Sequence, residues 1–298
     1  MRLLCTGDWH ITNKTPKNRI DNYPQTILTK LKYILDYAAE NKIFYILQPG
    51  DFFDSVKVPH STVASIAKLL AQYEDTHLIA CFGQHDLQFH NAENPNTPLN
   101  VLLKAGLVFT APLMLPIGHR HYVHFAGWGN DIPEPTEDGY NILLTHRMVI
   151  HENKLWEAQT GYEESHTLLK STKFDLITCG DNHTGFVHTH DDRILTNCGS
   201  LMRSSTSQSS HTPFFVVVNT DTNLYHVEYI PVEDINDVMD FSQKEKEEQV
   251  NQNLTKFISN LTSTKRPELN YKKNLYNLIN SNSIDKGIVD IIDEVMGD

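Results

Sequence analysis

Five short groups of aspartate and histidine recur along the chain, and their residue types are those of a metal site. They are Gly7-Asp8-Trp9-His10-Ile11, Gly50-Asp51, Gly83-Gln84-His85-Asp86, Thr145-His146 and Gly180-Asp181-Asn182-His183. Carboxylate and imidazole ligands without cysteine suit Mn²⁺, Fe, Mg²⁺ or Zn²⁺. One bridging carboxylate can hold two such ions about 3.5–4 Å apart, and such a pair activates a water and clamps a phosphate. The five groups therefore predict a two-metal site.

Each group follows a short apolar or β-branched run, and the runs cover residues 3–6, 43–47, 78–82, 142–145 and 176–179. Runs of this length and composition are typical of buried strands. Ligands of α/β sheets bind outside the carboxyl ends of the strands, so groups that are distant in sequence can meet there. The glycines at 50, 83 and 180 allow the backbone to turn sharply after a strand.

The order and spacing of the groups resemble those of the calcineurin-like metallophosphoesterases. The pattern of that superfamily is D-x-H, G-D, G-N-H-D/E, an isolated His, and G-H-x-H. A second likeness is narrower. The run Gly50-Asp51-Phe52-Phe53-Asp54-Ser55, with Pro59 soon after it, resembles the G-D-x-F-D-[ST] stretch of SbcD-type nucleases. The resemblance covers about residues 1–230 and implies an α/β fold built as a four-layer α/β/β/α sandwich.

The resemblance also implies a role for each matching residue. The first metal would be held by Asp8, His10 and His183, with Asp51 bridging to the second metal. Three further residues, Gln84, His146 and Asp181, would complete the second metal. His85 matches the family's catalytic histidine, which protonates the leaving oxygen or stabilises charge on the phosphate, and Asp86 would orient its imidazole.

Two positions depart from the family pattern, and both belong to the second metal. Gln84 stands where the family has Asn, and Asp181 stands where it has the first His of G-H-x-H. A carboxylate in place of an imidazole adds negative charge and a harder ligand, which favours Mn²⁺ or Mg²⁺ over Zn²⁺. We expect Mn²⁺, with Mg²⁺, Fe and Zn²⁺ as compatible alternatives. A weakened second site, or ligation by Asn182 or a water, stays open.

The charge balance limits how the chain can hold nucleic acid. The formal net charge is −12, which is the wrong sign for a protein that binds DNA through a broad basic face. Local Lys and Arg groups can still neutralise phosphates along one groove. Arg19, in the basic group that follows the first metal group, is a predicted substrate contact. Arg203 lies in the Ser-rich stretch after the last group, and the resemblance to SbcD-type nucleases implies that it contacts a substrate phosphate. A solvated or mobile loop is the alternative at both places.

The remaining composition predicts a protein of the cytoplasm. We find no signal-like apolar segment after Met1 and no apolar run long enough to cross a bilayer. The four cysteines lie on or beside predicted core strands, where a thiol packs as a small apolar group. We therefore expect a reducing compartment and no membrane partner.

The predicted organisation is a phosphoesterase (nuclease) domain over residues 1–232 and a helical extension over 233–298. Helical spacing of apolar residues appears at 23–41 and 61–73, and three amphipathic stripes follow at 250–261, 271–279 and 284–295. The stripes need a partner surface. They pack on the domain, form a homodimer, or dock on a coiled-coil ATPase of the SbcC type, as the resemblance implies.

The predicted function is two-metal phosphodiester hydrolysis, in which an activated water attacks the phosphate and His85 assists the leaving group. The resemblance implies DNA as substrate and a role in DNA repair, recombination or replication. A small-molecule phosphodiesterase or a protein phosphatase would use the same metals. A third alternative is a non-catalytic module that binds metal or a partner.

Overall fold

Two β-sheets pack face to face in the part of the chain that carries the metal motifs. The computed structural model describes residues 1–92, 94–136, 138–152, 154–155, 157–242, 253–256, 258–259, 271–281 and 284–296. The first sheet contains β1 (Arg2–Cys5), β2 (Tyr45–Gln48), β3 (His77–Ala80), β12 (Phe214–Asn219) and β13 (Leu224–Tyr229). Its order is β13-β12-β1-β2-β3, and β1, β2 and β3 are parallel.

The second sheet has six strands. They are β4 (Met114–Pro116), β5 (His121–Ala126), β6 (Tyr140–His146), β9 (Leu176–Gly180), β10 (Phe186–His190) and β11 (Arg193–Asn197), in the order β10-β11-β9-β6-β5-β4. A separate pair joins β7 (Val149–Ile150) to β8 (Glu163–Glu164). Strands β5, β6, β9 and β11 run parallel, so their carboxyl ends share one edge of the sheet.

Five helices accompany the sheets: α1 (Tyr23–Glu40), α2 (His60–Leu70), α3 (Pro98–Lys104), α4 (Ser165–Ser171) and α5 (Ile235–Val238). The longest, α1, begins where the Asn22 side chain accepts a hydrogen bond from the Gln25 amide. Its buried face carries Ile27, Leu31, Ile34, Leu35 and Ala38, which is the predicted helical spacing. Short 3₁₀ turns occupy Gln84–Asp86 and Thr206–Gln208.

The elements form four layers, which confirms the predicted α/β/β/α sandwich. Alternate residues of each strand face opposite sides, so Leu4 packs toward α1, α2 and α3 while Leu3 packs toward the second sheet. The far side of the second sheet is covered by α4, where Leu143 and Ile177 meet Leu168. The central strands of each sheet are therefore buried on both faces, and their ends are the places left for polar chemistry.

Contacts divide the chain into two units, Met1–Met239 and Asp240–Asp298. The second unit contains α6 (Tyr271–Ser281) and α7 (Lys286–Met296), and the Tyr276 hydroxyl on α6 donates a hydrogen bond to Asp293 on α7. Half of the stretch 250–261, in which a stripe was predicted, lies outside the described residues. The roles predicted for 1–232 and 233–298 stay predictions. Among the helices of the described ranges, none combines the length and apolar character that a membrane crossing requires.

Candidate metal centre

The strand ends of both sheets bring the five sequence groups to one place. Asp8, Asp51 and Gln84 follow β1, β2 and β3 of the first sheet, whereas His146 ends β6 and Asp181 follows β9 of the second. Backbone hydrogen bonds fix the turns: the amide of His10 donates to the carbonyl of Asp51 at 2.9 Å, and that of Asp8 donates to Gly199 at 3.0 Å. The predicted ligands therefore come from two sheets that meet at this edge.

The residues predicted for the first metal form one convergent group. Asp8, His10 and His183 offer ligand atoms that all lie within 4.8 Å of one another. The two Nε2 atoms of His10 and His183 are 3.0 Å apart, and His183 Nε2 is 3.6 Å from Asp8 Oδ2. Two imidazole nitrogens that face each other at this distance suit a shared cation, which can accept both lone pairs.

A second convergent group contains the predicted bridging residue. Asp8, Asp51 and His146 offer ligand atoms within the same 4.8 Å, and His146 Nε2 is 3.4 Å from Asp51 Oδ2 and 3.9 Å from Asp181 Oδ1. The Gln84 amide nitrogen donates to Asp181 Oδ1 at 2.9 Å, so the amide and the carboxylate hold each other in place. The two residues that depart from the family pattern are thus direct neighbours.

Several buried ligand atoms of this region have no hydrogen-bond partner. Asp8 Oδ1, Gln84 Oε1 and His146 Nε2 are all in this state. An unsatisfied buried polar atom costs about 1–3 kcal/mol, so three of them in one place indicate a ligand that the protein is built to bind. Each can donate a lone pair, and two are oxygens. The residues fit a pair of divalent cations, with the harder oxygen ligands around the second position.

Burial and nearby charges give two of the predicted ligands, His10 and His146, different protonation states. Burial lowers the pKa of His10 to about 3, so its imidazole is neutral and ready to coordinate at neutral pH. Burial also acts on His146, but the charges of Asp51 and Asp8 outweigh it and raise the pKa of His146 above its ordinary value. The pKa of Asp51 is lowered because His146 outweighs the effect of burial. A cation bound here would take the place of the His146 proton.

Three of the predicted ligands have a left-handed backbone. The φ angles are 45° for His10, 49° for Asp51 and 77° for Asp181. Non-glycine residues pay about 1–2 kcal/mol for this conformation, and it persists where the surroundings enforce it. Strain of this kind at ligand positions is typical of a functional site.

Carbonyl oxygens fix the tautomers of two histidines. The Nδ1 of His146 lies 2.8 Å from the Pro49 carbonyl, and the Nδ1 of His85 lies 2.7 Å from the Asp54 carbonyl. A carbonyl can only accept, so the proton sits on Nδ1 and each Nε2 is left for the site.

Comparison with known proteins agrees with this geometry. The family model of the calcineurin-like phosphoesterases matches residues 1–185. The chain belongs to this family. No curated protein matches the chain.

Solved structures with similar folds include three of very low identity. A dimetal phosphatase from Danio rerio is 10% identical, with a TM-score of 0.46, over 78% of this chain and 99% of the other. GAP50, the anchor in the inner membrane complex of Plasmodium, is 14% identical, with a TM-score of 0.41, over 80% and 92%. Vps29 of Chaetomium thermophilum is 14% identical, with a TM-score of 0.35, over 77% and 95%. The likeness to SbcD-type nucleases stays a prediction.

One predicted role within this phosphoesterase site is corrected by the contacts of Asp86. Its buried carboxylate accepts hydrogen bonds from the amides of Phe52, Phe53 and Gly83 at 3.0–3.2 Å. The ring of His85 is oriented by the carbonyl of Asp54 instead. Asp86 thus joins the turn after β2 to the turn after β3 and positions His85 only through the backbone. Burial raises the pKa of Asp86 to about 7, although the three amides oppose this rise.

The two predicted substrate arginines have structural partners. The buried guanidinium of Arg19 donates two hydrogen bonds of 2.7 Å to Asp21 and a third, of 2.8 Å, to the Arg203 carbonyl. Arg203, also buried, donates to the Glu233 carbonyl at 2.7 Å. Neither lines the cavities at the metal centre. The predicted substrate contacts are therefore corrected to ties between loops.

Two cavities open at the metal centre, one beside each group of ligands. The first, of about 440 Å³, is lined by Asp8, His10, His85 and His183 together with Lys14, Tyr23 and Asp54. The second, of about 370 Å³, is lined by His146 and Asp181 together with Trp128, Arg147, Tyr162 and Glu163. Sequence reasoning missed Trp128, Arg147 and Tyr162. The one available signal was that Arg147 directly follows a predicted ligand.

Proposed function

We propose that this phosphoesterase is a metal-dependent nuclease that hydrolyses phosphodiester bonds of DNA. The observation that carries the proposal is the presence of open cavities on both sides of the predicted metal centre. A small phosphodiester needs one pocket, whereas a polymer must enter and leave while one phosphate is at the ligands. Two openings therefore support a chain-like substrate over a small molecule.

Each cavity also carries one cation, although the net charge is −12 and Asp131 and Glu163 line the second cavity beside Arg147. Lys14 lines the first cavity and Arg147 lines the second, so each side has a cation for the phosphate backbone. Arg147 donates to Glu163 at 2.7 Å and to the Asn130 carbonyl, and its buried Nε has no hydrogen-bond partner. These two hydrogen bonds hold the arginine in position and use two of the five N–H donors of its guanidinium.

The proposed chemistry assigns one task to each group of residues. The ligands of the two groups would hold two divalent ions, which supply an activated water and positive charge for the phosphate when bound. His85 lines the first cavity and, with Nδ1–H fixed on the Asp54 carbonyl, presents Nε2 to the leaving oxygen, to which its doubly protonated form would donate a proton. The carboxylate of Asp181 and the amide of Gln84 favour Mn²⁺ or Mg²⁺ over Zn²⁺ at the second position.

We further propose that the second unit provides a surface for a partner. The amphipathic stripes of α6 and α7 support this proposal, as does the likeness to nucleases that work with a coiled-coil ATPase. A second copy of the chain is the other candidate. Size-exclusion chromatography with light scattering of the full chain separates a dimer from a monomer that awaits another protein.

The test of the proposed function is cleavage of labelled single- and double-stranded DNA with and without Mn²⁺. We expect metal-dependent cleavage by the wild type, loss of cleavage in Asp51→Ala and His85→Ala, and full activity in Leu224→Ala. Leu224 is an exposed residue at the start of β13 and lines neither cavity. Turnover of a small phosphodiester without any DNA cleavage would move the assignment to a small-molecule phosphodiesterase. Metal binding without either activity would indicate a non-catalytic module.

A further inference from the structure

Three aromatic side chains near the second cavity are exposed in a way that the fold does not require. Phe89 is 87% exposed and Trp128 is 37% exposed. The ring of His90 stacks on that of Trp128, with centroids 4.9 Å apart and planes inclined by 25°. Large aromatic residues gain most of their stabilising energy by burial, so an exposed group of them indicates a binding surface.

The backbone of the catalytic motif holds these side chains in place. The amide of Trp128 donates to the Phe82 carbonyl at 2.8 Å, directly before the motif that supplies Gln84 and His85. At Gly127, an added Cβ would lie 2.8 Å from the same carbonyl, so this close approach requires glycine. Phe89 and His90 follow the 3₁₀ turn of the motif. All three rings are thus positioned by the segment that positions the predicted proton donor.

Backbone strain adds independent support. Phe89 and His90 are consecutive residues with φ of 56° and 57°, which is the left-handed region. Each non-glycine residue pays a free-energy cost for this conformation, yet the strain buries nothing at Phe89. In this conformation the ring of Phe89 faces solvent and the ring of His90 stacks on Trp128. Strain that presents a side chain to solvent is a sign of function.

The location of Trp128 indicates what the group would bind. Trp128 lines the same cavity as the predicted ligands His146 and Asp181, so a ligand on the aromatic group continues into the metal centre. Arg147 in this cavity can meet a phosphate. Flat aromatic surfaces next to a cation and a phosphate site match a single-stranded nucleic acid, whose bases stack on aromatic side chains whatever their sequence.

We propose that Phe89, His90 and Trp128 form a stacking platform for the bases of a single strand that passes through the second cavity. This proposal rests on the proposed nuclease function and specifies the form of the substrate, which is single-stranded DNA or a duplex end that has frayed. Each stacked base contributes about 5- to 150-fold in affinity. An aromatic side chain of a protein partner is the competing occupant.

The experiment compares two oligonucleotides of equal length and charge, one normal and one with consecutive abasic sites. KM for cleavage is measured with the wild type, Phe89→Ala, the double variant Phe89→Ala/Trp128→Leu, and the control Leu224→Ala. We expect abasic sites to raise KM at least about fivefold in the wild type and the control. We expect little dependence on bases in the double variant. Phe89→Ala, at a side chain with almost no contacts to lose, should show an intermediate dependence.

Turnover of a small phosphodiester by each variant reports the state of the metal centre, and the ratio of DNA to small-diester activity is the quantity compared. Equal KM values of the wild type for the normal and the abasic oligonucleotide would overturn the platform. A double variant whose KM still rises as much with abasic sites as that of the wild type would overturn it too. In both cases the nuclease assignment would stand. A wild type that cleaves neither DNA while it hydrolyses the small diester overturns the proposed function and the platform with it.

Discussion

Replacing Gly83 by alanine should lower the activity of this phosphoesterase by displacing the carboxylate of Asp51, the predicted bridging ligand. A Cβ at this position would lie 2.1 Å from Asp51 Oδ1 and 2.2 Å from the Asp51 amide nitrogen. An ordinary contact begins at 3.4 Å, so the atoms must separate by about 1.3 Å. Asp51 is buried, and the same Oδ1 accepts a hydrogen bond from the His85 amide at 2.9 Å. The displacement therefore reaches both the predicted ligand and the predicted proton donor.

The size of the effect follows from how small a displacement of its ligands a metal site tolerates. Metal–ligand distances are maintained within about 0.2 Å, and a misplacement of about 1 Å at a reacting centre can cost about a hundredfold in rate. We expect Gly83→Ala to lower kcat/KM for a small phosphodiester by at least about a hundredfold, or about 2.7 kcal/mol. The bound metal should fall in parallel. Elemental analysis of dialysed protein measures it.

Gly106→Ala is the matched control. Gly106 has φ of 71° and no neighbour within 4 Å of an added Cβ, so alanine there costs backbone strain without a clash. Gly83 has an ordinary backbone, with φ of −90°, and suffers the clash alone. The control should lose about 1 kcal/mol of stability and keep its activity. A Gly83→Ala enzyme that retains half of the wild-type kcat/KM would refute the reasoning.

Three further predictions concern charge. Asp181→His should shift the metal preference from Mn²⁺ toward Zn²⁺ by about tenfold, because it restores a softer ligand; an unchanged ratio of Mn²⁺ to Zn²⁺ activity would contradict ligation by Asp181. The pKa of Asp21 lies below its ordinary 3.8 because hydrogen bonds from Arg19 and Thr26 outweigh burial, so this carboxylate stabilises the fold above about pH 4 and the effect fades as pH falls through the folded pKa. Asp21→Asn should therefore lower the free energy of unfolding in urea by about 3 kcal/mol at pH 7, and the loss should become smaller as the pH falls below 3.8; an equal loss at every pH would be contrary evidence. Metal binding should displace the proton that the carboxylates hold on His146, so titration of Mn²⁺ into weakly buffered protein should acidify the solution, with about one proton fewer released by His146→Gln at saturation.

Elements whose apolar pattern is local in the sequence could be predicted from it. Short apolar runs that end in Gly-Asp or Asp-x-His predicted the parallel strands, and their carboxyl ends then placed the ligands at one edge. Helical spacing from Ile27 to Ala38 predicted the buried face of α1 in the same way.

Partners that depend on distant contacts could not be predicted. Asp86 is adjacent to His85 in sequence, but the amides it binds at Phe52 and Phe53 come from another turn, 34 and 33 residues away. Arg19 follows the first metal group closely, yet its guanidinium turns away to Asp21 and the Arg203 loop. Trp128 carries no motif, and only the packing of its loop on Phe82 brings it beside the ligands. Side-chain direction in loops is set by such long-range packing.

The ligands are divided between the two sheets, and this division has a consequence for how the protein assembles. Asp8 and Asp51 belong to the first sheet, His146 and Asp181 to the second, and the cross-links are short: the Asp181 amide donates to Asp8 at 2.9 Å and His146 to the Pro49 carbonyl at 2.8 Å. Neither sheet alone presents a complete ligand set, so the site forms only after the two have docked. Metal uptake would then be a late step of folding, and ions bound between the two sheets would slow the separation of the sheets and the unfolding of the protein.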